Sequence, residues 1–159
     1  GYPGVSSLDI VDNVIPYIGG EEAKMESEPL KILGTSMTIS AQCNRVAVID
    51  GHTECVSVRL SKAASATDII EAWQSYQSVP QQLALPSAPA HPLHYFKEDA
   101  YPQPRKHRLT EKGMAVCIGR LRECPIMGWK FVLLSHNTIR GAAGGAILNA
   151  ELLTKKWSL

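Results

Sequence analysis

The sequence predicts a layered fold of sheet and helix, α+β or α/β, and four stretches carry that expectation. Glu54 to Leu60 (ECVSVRL) alternates with period two, as a strand with one solvated face does. Residues 65–78 place Ile69, Ile70, Trp73 and Tyr76 or Gln77 at three-and-four spacing. They follow a Ser65 or Thr67 cap, with Asp68 in the first turn, so an amphipathic helix is predicted. Met114 to Leu121 (MAVCIGRL) and Trp129 to Ser135 (WKFVLLS) read as further strands, parted by the turn-like Glu123-Cys124-Pro125. A strand, a helix and then more strands is the order expected of a sheet layered with helices.

The remaining elements are read around these. Glu21 to Met25 opens a helix, with its acids at the positive helix end. Pro29 is expected to start a second helical segment that Gly34 stops. Asn44 to Ile49 (NRVAVI) is predicted as a buried strand. The following Asp50-Gly51 fits a hairpin turn or a bulge in one longer strand, and the sequence leaves both open. Six of the ten prolines fall in residues 79–108. Proline donates no ladder hydrogen bond, so a long ordered loop is predicted there, functional or in contact with a neighbour. Ile139 to Trp157 is predicted as a last helix, whose small-residue start (GAAGGA) permits close backbone approach.

Composition narrows the function. The 159 residues suit about one domain. At 45% hydrophobic and 19% charged, the chain is not of the disordered class. A net charge of +1 gives no global field toward nucleic acid or a membrane surface. The apolar runs fall far short of the ~18 residues that span a bilayer. No signal peptide shows in the opening GYPGVSSLDIVDN. That Gly-Tyr-Pro-Gly start, without an initiator Met, predicts a fragment or a chain whose upstream part is missing. Residues 1–28 are acidic and residues from Pro104 onward carry ten Lys/Arg against three Glu. The asymmetry suggests pairing within or between subunits. Cys43, Cys55, Cys117 and Cys124 form no CxxC pair and no zinc-finger spacing. They are expected to be buried, reduced thiols of a cytosolic protein.

Three constellations have chemical potential. Arg45 is suited to bidentate capture of a carboxylate or phosphate, and His52 to acid/base work near neutral pH. On one ideal strand they would face opposite ways, and a bulge at Asp50-Gly51 would bring them to one face. The plain alternative is a surface arginine and a turn histidine. Glu21 and Lys24, three apart, share a helix face and offer a carboxylate for an ammonium and a lysine for an anion. The alternative is a solvated helix start. Asn137 to Gly145 offers backbone amides at a glycine-rich helix start, yet matches neither dinucleotide nor P-loop spacing. Packing alone would also explain its small residues. His91 and His94 bracket Pro92, so no helix presents them together, and no metal site is expected.

The strings IPYIGGEEAKM, CNRVAVIDGHTECVSVRL, QPRKHR, GMAVCIGRLRECP and LSHNTIRGAAGGAILNAELL carry more. In that order they resemble aspartate-semialdehyde dehydrogenase, in the branch found in fungi and archaea. The resemblance runs from Gly1 to about Leu153 and covers only the second part of that two-domain enzyme. It implies an α+β fold with a mixed or largely antiparallel sheet, like the C-terminal domain of glyceraldehyde-3-phosphate dehydrogenase. Helices would cover one face and a twin subunit the other. It implies a catalytic and dimerisation domain over residues 1–136, lacking its first strand. Residues 137–159 would be a terminal helix that packs on an absent NADP-binding domain.

The family reaction is reversible, NADPH-dependent reductive dephosphorylation of L-aspartyl 4-phosphate to L-aspartate 4-semialdehyde, through a cysteine thioester, in aspartate-family amino-acid biosynthesis. By resemblance His52 is the general acid/base. Arg45 clamps the substrate α-carboxylate, Glu21 meets its ammonium with Glu22 as the neighbouring alternative, and Lys24 binds phosphate. Asn137 and the Gly141 region close on the nicotinamide side of NADP. The partners implied are these metabolites and a homodimer or homotetramer in the cytoplasm, with no nucleic acid and no membrane. The upstream nucleophile motif and the glycine-rich NADP fingerprint are absent, so the fragment alone is expected to be inactive. Two other readings stand beside this one: a non-catalytic oligomerisation or binding module, and a related acyl-phosphate reductase with another substrate.

Overall fold

The structure, a computed structural model, describes residues 7–157 and forms two compact units, Gly1–Ile49 and Asp50–Leu159. The Gly-Tyr-Pro-Gly opening lies outside the described residues.

The first unit holds the short helix α1 (Ser7–Ile10) and the longer α2 (Glu21–Leu33). Gly34, at φ 60, ends α2 as expected and gives its N–H to the Leu30 carbonyl. The expected break at Pro29 is not there, and α2 runs through it. Proline forfeits one helical bond. Two ties along the helix offset that loss: Glu22 accepts from the Cys43 N–H at 2.9 Å, and Glu26 from the Ala41 N–H at 3.0 Å.

The expected buried strand at Asn44–Ile49 does not form either. Arg45 makes a single bridge with Ile15, through hydrogen bonds of 2.8 and 3.1 Å. Immediately after it the Val48 N–H turns back on the Val46 carbonyl at 2.8 Å, a three-residue turn that a ladder cannot contain. Val46, Val48 and Ile49 are exposed, Ile49 at 86%. Asp50-Gly51 therefore joins no hairpin.

The second unit is built on a four-stranded sheet of β1 (His52–Val58), β2 (Leu93–Phe96), β3 (Val116–Cys124) and β4 (Gly128–Ser135). The spatial order is β1-β4-β3-β2. β4 runs antiparallel to β1 and β3, and β2 parallel to β3, giving the expected mixed sheet. β3 extends through Cys124, three residues beyond the expected end at Leu121, and residues 125–127 make the hairpin turn into Gly128 at φ 93. A bulge sits between Gly119 and Arg122, with Arg120 at φ 58.

Helix α3 (Ala66–Ser75) starts on a full capping box, Ser65 with Asp68, and stops where Tyr76 turns extended. Trp73 seats it on the sheet, with ring centroids 5.9 Å from Tyr95 and 5.1 Å from Phe131. Part of the opposite face is covered by backbone from residues 101–107. The Cys117 Sγ lies 3.5 Å from the His107 carbonyl, and the Tyr101 carbonyl rests where a Cβ on Gly119 would stand.

The proline-rich stretch is not one loop. It contains α4 (Val79–Gln82), the strand β2 and α5 (Pro104–His107). Pro80 and Pro104 occupy first helical turns, where no N–H is needed. Pro92 stands just before the edge strand β2 and contributes only its carbonyl, to the Val116 N–H at 2.9 Å.

The last element is a π-helical turn over Ile139–Ala143 running into α6 (Gly144–Trp157). Its small residues do allow close approach: a Cβ on Gly144 would stand 2.5 Å from the Met114 Sδ. Leu148 of α6 joins Leu85 and Met114 in the core, flanked by Ala88, Ile139 and Leu152. The expectation of buried thiols holds for Cys117 and fails for Cys55, which is exposed on β1. Residues alternate along that strand, and Cys55 shares its uncovered face with Thr53 and Ser57.

Candidate active site

In the second unit, the site forms where β1 begins and β4 ends. His52, the first residue of β1, pairs in register with Ser135, the last of β4. The chain leaving β4 supplies His136 and then Asn137. The Asn137 Oδ1 accepts a hydrogen bond from the Gly51 N–H at 2.9 Å, across 86 residues of sequence. Gly51 has φ 110, and a Cβ there would lie 3.1 Å from the Leu134 Cδ1, so this close crossing needs glycine. The fold thus brings together two residues singled out separately from the sequence, His52 and Asn137. His52 is exposed, and its ring has no hydrogen-bond partner among the described residues.

His136 carries no role in the reading of the sequence. It is buried at 4% and organises the turn that carries Asn137 and Gly141. Its Nδ1 accepts from the Ile139 N–H at 3.3 Å, and its carbonyl accepts from the Gly141 N–H at 3.0 Å. A histidine just before Asn-Thr-Ile-Arg-Gly was the available signal, and only the fold shows its use.

In the first unit, Glu21 and Lys24 lie on the opening turn of α2, 3.6 Å apart. Their side chains are 36% and 59% exposed, so the pair is weak and open to a competing charged ligand. Glu22 is engaged differently, through the Cys43 backbone. Arg45 is fixed by its backbone bridge to Ile15, and its guanidinium has no ion pair among the described residues.

Other titratable groups sort by environment. Burial pushes the Cys117 thiol up, against a hydrogen bond from Thr110. The Cys124 thiol is pulled down, chiefly by the Met127 N–H, then by that of Ile126, with Ser57 and Lys130 adding to it. The His91 and His94 rings meet edge to face at 5.9 Å, and the His94 Nε2 lies 3.6 Å from the Glu111 Oε1. Among the described residues no group of three or more His, Cys, Asp or Glu is arranged to hold a metal. No helix among them is long and apolar enough to cross a membrane.

Residues 2–140 match the family described as semialdehyde dehydrogenase, dimerisation domain. The chain belongs to this family. The chain is 49% identical, over 98% of its length, to aspartate-semialdehyde dehydrogenase of Schizosaccharomyces pombe. It is 46% identical, again over 98%, to the enzyme of that name from Methanothermobacter thermautotrophicus. In structure it resembles aspartate-semialdehyde dehydrogenase of Candida albicans, solved with NADP, at TM-score 0.90 and 43% identity over 99% of the chain. The domain spans about half the length of the relatives it matches: 48% of the S. pombe and M. thermautotrophicus proteins, and 48% of the C. albicans chain.

Proposed function

We propose that the chain is the catalytic and dimerisation half of an NADP-dependent aspartate-semialdehyde dehydrogenase of amino-acid biosynthesis. It would convert L-aspartyl 4-phosphate and NADPH to L-aspartate 4-semialdehyde, phosphate and NADP, in the cytoplasm, as a homodimer or homotetramer. The observation that carries the reading is the hydrogen bond from the Gly51 N–H, directly before His52, to the Asn137 side chain at one end of the sheet, in a chain of this family.

In this reading Arg45 takes the substrate α-carboxylate in a two-pronged ion pair. Glu21 takes the ammonium, because the Glu22 carboxylate is already occupied by the Cys43 N–H. Lys24 attracts the phosphate, trading its weak pairing with Glu21 for it. His52 accepts the thiol proton of a cysteine supplied by the other half of the enzyme. The resulting thiolate attacks the acyl carbon, and phosphate leaves.

Two features here suit a nicotinamide cofactor. The Asn137 amide nitrogen has no partner among the described residues, and a Cβ on Gly141 would meet only the His136 carbonyl, at 3.7 Å. NADP, when bound, supplies the hydride-transfer chemistry. Asn137 and Gly141 would hold its nicotinamide side.

The division of labour follows. Residues 1–136 serve catalysis and dimerisation, the uncovered sheet surface meeting a twin subunit. Residues 137–159 return to an NADP domain. Ile147, Leu153 and Trp157 are exposed on α6, at 55%, 43% and 65%, and would be covered there. By themselves the 159 residues would not turn over. Substrate choice tests the assignment. The chain joined to the N-terminal half of the S. pombe relative should prefer aspartate semialdehyde to succinate semialdehyde, which lacks the amine. The E21A variant should lose most of that preference. Equal use of both aldehydes by the unmutated enzyme would favour an acyl-phosphate reductase with another substrate.

A further inference from the structure

We infer that Asn137 is a positioning residue for His52 as well as a ligand-facing one, its two ends doing different work. The inference rests on the reading of His52 as the acid/base group. The hydrogen bond itself fixes which end is which. A backbone N–H donates only, so the atom facing Gly51 at 2.9 Å is the amide oxygen. The nitrogen end is left open, with no partner among the described residues.

Gly51 is a demanding place for a chain to be held. Its φ of 110 is foreign to other residues, and Leu134, Pro104 and Arg108 crowd the position of its missing Cβ at 3.1 to 3.8 Å. His52 follows at once, as the first residue of β1. Among the described residues nothing pairs with the open side of that strand, since β1 is an edge and its register with β4 begins at His52 itself. The first restraint upstream of the ladder is therefore the Asn137 oxygen. It comes from the turn that follows the neighbouring strand β4 and that His136 anchors. The same side chain thus fixes the backbone that presents the imidazole and offers its N–H groups toward a carbonyl on a bound ring. Occupying the nitrogen end would then bear on how His52 is held.

The tests separate the two ends. In the unmutated chain, NMR should show a scalar coupling across the hydrogen bond, from the Gly51 nitrogen to the Asn137 side-chain carbonyl carbon. Its absence overturns the inference, even if every variant misfolds. In N137A the Gly51 amide should exchange about tenfold faster or more, with the His52 signals shifting and the rest of β1 unchanged. N137D, which still accepts a hydrogen bond, should restore both. Unchanged exchange at Gly51, or an even loss of protection along β1 and β4, would leave Asn137 without a positioning role.

In the joined enzyme, N137A should lower kcat about tenfold and raise KM for NADP. N137D should recover kcat and not KM, because a carboxylate accepts but does not donate. N137D as slow as N137A would overturn the inference. A failure of the acid/base reading would look different: the amide results would stand while removal of the His52 imidazole left turnover intact.

Discussion

The Glu22 carboxylate accepts the Cys43 backbone N–H at 2.9 Å, while its neighbour Glu21 faces Lys24 from a half-open position on the same helical turn. Two adjacent acids that the sequence could not rank therefore have separate tasks. Glu22 ties α2 to the segment that leads into Arg45. Glu21 stays half-open beside Lys24, and in the proposed function it meets the substrate ammonium.

Replacing each acid should expose the split. E22A removes a partly buried, charge-assisted acceptor and should cost about 1–2 kcal/mol, seen as a lower Tm. E21A breaks only an exposed pair and should stay within about 0.5 kcal/mol. Equal effects would mean that the two carboxylates do the same work.

The start of α3 sets a pH dependence. Hydrogen bonds from the Ser65 backbone N–H and hydroxyl hold the Asp68 carboxyl below its ordinary 3.8. A depressed folded-state value means this stabilisation is complete above that ordinary value. It is lost as pH falls through the lower folded one. D68N should accordingly be less stable than the parent above about pH 4, and the melts of the two should converge at low pH, where the parent loses this contribution. S65A should cost about 1 kcal/mol at neutral pH through loss of the cap. A D68N deficit that grew toward acid would contradict the assignment.

Thiol reactivity should follow environment. Cys117 is 1% exposed with its thiol pushed up, so it should alkylate last and only on unfolding. Cys124 has its thiol pulled down by backbone N–H groups and should label in the native protein, while Cys55, exposed on the sheet face proposed to meet a twin subunit, should label in the separated subunit and be protected in the dimer. Peptide mass spectrometry after timed iodoacetamide treatment reads the order. Early labelling of Cys117 would contradict the packing of α5 against β3.

Elements with their own periodicity or capping were legible in the sequence. The α3 cap, which falls on Ser65 of the two residues offered, the alternation behind β1, the β3–β4 pair and the Gly34 stop all reappear. What failed depended on partners distant in sequence. NRVAVI looks like a strand by composition, yet a ladder needs a neighbour, and the chain turns at Val48 instead. β2 was hidden because prolines at strand and helix starts are harmless, although a count of prolines suggests a loop. Of the candidate site, His52 and Asn137 could be named from resemblance. Their meeting through Gly51, and the anchoring of that turn by His136, are long-range facts that no local pattern carries.

The central claim is that this chain brings the acid/base histidine of an aspartate-semialdehyde dehydrogenase. Its most direct test is phosphate-dependent NADPH formation from aspartate semialdehyde. The assay would be run on the chain alone, on the chain joined to the N-terminal half of the S. pombe relative, and on the joined H52N variant. The account predicts no turnover from the chain alone and turnover from the joined enzyme. It also predicts a loss of about 10²-fold or more in kcat for the joined H52N variant. A joined enzyme that binds NADP but stays inactive, or a joined H52N enzyme as fast as its parent, would contradict it.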